Sequence, residues 1–64
     1  MFTKEQIAFM KSIGLNLDFS HLSEADYVQI EDAVGDRYTA EVQEHESKIT
    51  PVILLCEGIL DKLG

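Results

Sequence analysis

A chain of 64 residues holds one small domain, and at this length only about 60% of the surface exposed by the unfolded form becomes buried. With 45% hydrophobic and 27% charged residues, the composition is globular and not that of a disordered tail. Five Lys and Arg against twelve Asp and Glu give a net charge of −7, so nucleic acid and anionic membrane surfaces are excluded as expected direct partners.

The first predicted element begins at Thr3-Lys4-Glu5-Gln6, a capping box in which the Thr hydroxyl and the Gln side chain each satisfy the other's free backbone amide. Phe2 before the cap and Ile7 after it form a hydrophobic staple. Ile7, Met10 and Ile13 mark one face, and Gly14 is the expected left-handed stop, so the helix is placed over 4–13. Leu15 is expected to fold back on Met10, as in a Schellman ending. Leu15-Asn16-Leu17-Asp18-Phe19 alternates like a strand, but the chain offers no convincing partner strand. It is therefore read as an extended linker whose apolar residues plug the core.

A second capping box, Ser23-Glu24-Ala25-Asp26, opens a helix placed over 24–44, with Leu22 and Tyr27 as its staple. Tyr27, Ile30, Val34 and Tyr38 follow helical spacing. Gly35 weakens the pattern and is the expected place for a kink. Beyond it, residues 36–44 are readable as helix or as strand; helix is preferred because a lone strand leaves its backbone groups unpaired. After the connection His45-Glu46-Ser47-Lys48, Thr50 caps a helix over 51–63, Pro51 takes its first position, and Ile49 and Leu54 make a third staple. Val52, Ile53, Cys56, Ile59, Leu60 and Leu63 form a wide apolar stripe, so the others are expected to pack around this helix. The fold class is thus all-α, a compact three-helix domain with a long central helix.

Chemistry-bearing residues are few. His21 and His45 fall in polar connections and read as surface or capping residues. Cys56, the one cysteine, can form no internal disulfide and sits in the apolar stripe, where a buried structural thiol is expected. The segment Asn16 to His21 lacks the central Gly and terminal Glu of a calcium loop. Glu31, Asp32 and Asp36 form a carboxylate cluster best explained as a solvated helix face. No catalytic residue, metal ligand or cofactor site is assigned, and an enzyme is not expected. The absence of a disulfide framework, of an apolar signal region and of a long apolar run predicts a cytoplasmic protein.

Charge is more informative. Residues 18–46 carry nine acids and one base, Arg37. Asp32 and Asp36 are like charges one turn apart, which stability alone does not favour. The acidic face is either a solubilising surface or a docking face for a basic protein, including the possibility of an inhibitor that imitates nucleic acid and blocks a basic groove. Phe9, Val28 and Leu54 lie off the main apolar stripes and are the candidates for a contact patch or a homodimer seam. The candidate partner-binding set is therefore Glu31, Asp32, Asp36, Phe9, Val28 and Leu54, and the partner a protein or a second copy of the chain.

The phrases Thr3-Lys4-Glu5-Gln6-Ile7, Ile30-Glu31-Asp32-Ala33-Val34-Gly35-Asp36 and Cys56-Glu57-Gly58-Ile59-Leu60-Asp61-Lys62-Leu63 resemble those of small uncharacterised acidic proteins of bacteria and phages. The resemblance touches about a third of the chain, and Glu41 to Lys48 departs from it. It implies a bacterial, phage-associated setting and carries no functional residues with it. The function expected is a small non-enzymatic protein-interaction module.

Overall fold

Three helices in chain order, α1 (Lys4–Ser12), α2 (Glu24–Glu44) and α3 (Pro51–Leu63), make up a computed structural model that describes residues 2–46 and 48–63. Each helix starts where its local chemistry places it. At α1 the Gln6 amide donates to Thr3 Oγ1 (3.1 Å) and the Thr3 amide to Gln6 Oε1 (3.0 Å). At α2 the reciprocal pair is Asp26 to Ser23 Oγ and Ser23 to Asp26 Oδ2. At α3 the Ile53 amide donates to Thr50 Oγ1 (3.3 Å), with Pro51 at the first position.

The two helix ends differ. Gly14 takes φ +97°, its amide donates to the Lys11 carbonyl and the Leu15 amide to the Met10 carbonyl, which is the expected Schellman ending. Ile13 serves as the cap, so α1 closes one residue earlier than expected, a difference ordinary for a fraying end. After α2 the left-handed position falls instead on Glu46, at φ 51°, where a side chain is disfavoured. Ser47, expected in the same connection, lies outside the described residues.

Residues 36–44 are helix, continuous with the first half of α2. No strand occurs among the described residues, because no second extended segment is present to complete a ladder. Gly35 causes no break in the helix, and the Thr39 hydroxyl donates to its carbonyl (3.1 Å). A Cβ added at Gly35 would meet nothing within 4 Å. Gly35→Ala is therefore expected to raise stability by about 0.5–1 kcal/mol through backbone entropy alone, read as a higher urea midpoint at unchanged m-value.

Met10 of α1, Leu15 of the linker, Ile30 and Val34 of α2, and Cys56 and Ile59 of α3 form one buried cluster. Leu17 and Phe19 of the linker close it from outside, as the alternating pattern predicts, and Leu22 before the α2 cap also packs against the core. The Phe2 ring meets Phe19 edge-on at 6.5 Å. The apolar α3 packs on both other helices, most extensively on α2. The α2–α3 pair is antiparallel: Glu41 near the end of α2 hydrogen-bonds Thr50 at the start of α3. At about 1.5 Å per residue, α2 sets the long dimension of a 36 × 21 × 20 Å body. No helix among the described residues is long and apolar enough to cross a membrane.

Candidate functional site

On α2, Val28, Glu31, Asp32 and Asp36 stand at spacings of three, four and eight and share one exposed face. Val28 keeps 63% of its surface in water, although a large aliphatic side chain prefers burial. It forms one lip of a cleft of about 290 Å³ lined by Phe2, Tyr27, Glu31, Lys62 and Leu63. The antiparallel pairing explains the cleft: the first turns of α2 meet the last turn of α3, and Phe2 completes its lining. Glu31 and Lys62 supply the charged rim, with Lys62 Nζ 5.7 Å from the centre of the Phe2 ring and 2.9 Å from Gln6 Oε1.

The other expected contact residues do not join this face. Phe9 is half-buried and packs against the core cluster, because α1 turns a wider side to its neighbours than its narrow stripe suggests. Leu54 is 59% exposed on α3 but lines a separate depression with Thr3, Glu5, Gln6, Pro51 and Leu55. Nine residues, about 13 Å along the helix, separate it from Leu63 of the first cleft. Ile49, expected to staple against Leu54, is 76% exposed.

Glu41 is the acid that sequence reading misplaces. Counted with the acidic segment, it is buried to 4% exposure among α2, α3 and the connection. Its Oε2 accepts the Thr50 hydroxyl at 2.6 Å, its Oε1 meets Arg37 Nη2 at 2.9 Å, and His45 Nε2 lies 3.5 Å from Oε2. The Thr50 hydrogen bond, helped by His45 and Arg37, holds the Glu41 carboxyl below the ordinary 4.5 against the opposing effect of desolvation. The signal was present: Glu41 lies seven residues after Val34 and three after Tyr38, on the stripe that faces α3.

His21 is exposed, in a turn where the Ser20 amide donates to Asp18 Oδ1. His45 caps the end of α2. Cys56 is fully buried, and desolvation pushes its thiol above 9.0. The described residues that bring three ligand-type atoms within 4.8 Å are Glu41, Glu44 and His45, not Glu31, Asp32 and Asp36. In that trio both Glu41 oxygens already have partners in Arg37 and Thr50. Comparisons with protein-family models, with curated proteins and with solved structures give no match to this chain.

Proposed function

We propose that this chain is a non-enzymatic protein-interaction module that docks a partner protein through the α2 face. The observation that supports it is the junction at Val28: an exposed aliphatic side chain on the lip of an apolar cleft, continuous with Glu31, Asp32 and Asp36. Charge of one sign speeds encounter with a basic partner, and burial of apolar surface holds the complex. Cys56 is a neutral core thiol, and Glu41 ties α2 to α3.

The test is capture of partners from a bacterial lysate on the tagged protein, beside Val28→Asp and a Glu31→Gln, Asp32→Asn, Asp36→Asn triple variant. A protein retained by the parent and lost from both variants supports the reading. Retention indifferent to both would remove any role for this face.

A second reading, a homodimer, draws on Ile49 and Leu54, two exposed apolar side chains flanking the start of α3. It predicts a melting temperature that rises with protein concentration and stops doing so in Leu54→Asp.

A further inference from the structure

We infer that the partner presents a basic amphipathic helix to this face, seating one large apolar side chain in the Val28 cleft and carrying Lys or Arg at one-turn intervals beyond it. The inference rests on the reading of the α2 face as the docking surface, and goes further by naming what occupies it.

Size is the first reason. A cleft of about 290 Å³ is at or below the smallest pockets that enclose a whole small molecule, whereas a single anchoring side chain fits it. Register is the second. Asp32 and Asp36 follow Val28 by four and eight residues, which is about 6 and 12 Å along the helix axis. A partner helix running parallel to α2, with an apolar anchor and bases four and eight residues farther on, repeats those distances, so each base meets an acid while the anchor stays in the cleft. The third is charge. Glu31, Asp32 and Asp36 are all exposed; Arg37, the base on the same helix, is turned away and paired with Glu41, and Lys62, the base on the cleft rim, donates to Gln6 Oε1.

The same charges dispose of other occupants. A second copy apposing this face would set acid against acid. A nucleic acid or an anionic bilayer is repelled for the same reason. An extended peptide adding as a strand needs a sheet edge, and the described residues contain no strand.

The probe is a synthetic, end-capped helical peptide of about 16 residues. It carries Leu as anchor and Arg four and eight residues along, with Ala and Gln elsewhere. Two counterparts replace the two Arg by Glu, or the Leu by Ser. Binding to the full chain is followed by fluorescence anisotropy and by amide shift mapping. The expected result is saturable binding of the Leu/Arg peptide, with shifts confined to the Val28–Asp36 face, Phe2 and Leu63. Either counterpart, Val28→Asp, or an Asp32→Lys, Asp36→Lys double variant should weaken it at least about tenfold. Raising salt from about 50 to about 500 mM should weaken the parent pair severalfold, because exposed ion pairs are screened.

No saturable binding, equal binding of the Glu counterpart, or shifts mapping elsewhere would overturn the inference. Its failure is separable from that of the docking face. If lysate capture still depends on Val28 and Asp32 while the peptide does not bind, the face stands and the basic helix falls.

Discussion

Ile59→Ala should destabilise the domain by about 2–5 kcal/mol, the range for emptying a buried isoleucine site. At roughly 0.05–0.15 kcal/mol per residue, 64 residues support only about 3–10 kcal/mol in total, so this one change takes most of the stability at the lower end. Ile59 is fully buried and shares one cluster with Met10, Leu15, Ile30, Val34 and Cys56. The described residues show no second core to take up the loss. The control is Leu54→Ala on the same helix, where 59% exposure predicts a change within about 0.5 kcal/mol. Urea unfolding followed by circular dichroism measures both. Equal losses at the two positions would mean that burial is not what holds α3.

Thr50→Val removes a hydroxyl with two tasks and leaves the shape nearly unchanged. It caps α3 by accepting from the Ile53 amide and joins the helices by donating to Glu41 Oε2. Loss of the cap alone is expected to cost about 1 kcal/mol, and as much as about 2. The total should exceed that, because Glu41 loses the contact that does most to hold its carboxyl ionised. Thr50→Ser keeps both bonds and should stay close to the parent.

A pH signature separates the two tasks. The Glu41 pKa is lower in the folded chain than the ordinary 4.5, so as pH falls through 4.5 the unfolded chain takes up a proton that the folded chain refuses. Stability from this group is fully present above 4.5 and is lost as pH drops toward the folded value. Thr50→Val should shrink that acid loss, and Thr50→Ser should keep it. An acid limb unchanged in Thr50→Val would remove Glu41 as its source.

The helix starts were legible in the sequence because they rest on contacts three or four residues apart. Thr3 with Gln6, Ser23 with Asp26, and Thr50 before Pro51 each satisfy backbone amides that any helix start leaves open, wherever the helix later packs. Gly14 was readable for the same local reason: its φ of +97° suits a residue without a side chain. The linker, the apolar stripe of α3 and the burial of Cys56 also followed, since alternation and helical spacing report which side faces inward.

Which exposed residues come together depended on the meeting of helices distant in sequence. Val28 lies at a cleft because the start of α2 runs beside the end of α3, while Leu54, equally off the stripe, faces a different depression. Glu41 reads in sequence as one acid among nine, yet the antiparallel approach of α3 brings Thr50 to it and makes it a buried tie. Gly58 is the clearest instance. Nothing local requires glycine inside α3, but a Cβ there would stand 3.0 Å from Nε2 of Gln6, the α1 side chain that lies against it and whose Oε1 meets Lys62. By itself the sequence determined the elements and their inward faces, because hydrogen bonding and periodicity act within a few residues. Only the tertiary structure decided the cleft, the Glu41 tie and the place of Gly58, because each depends on the distance between helices far apart in the chain.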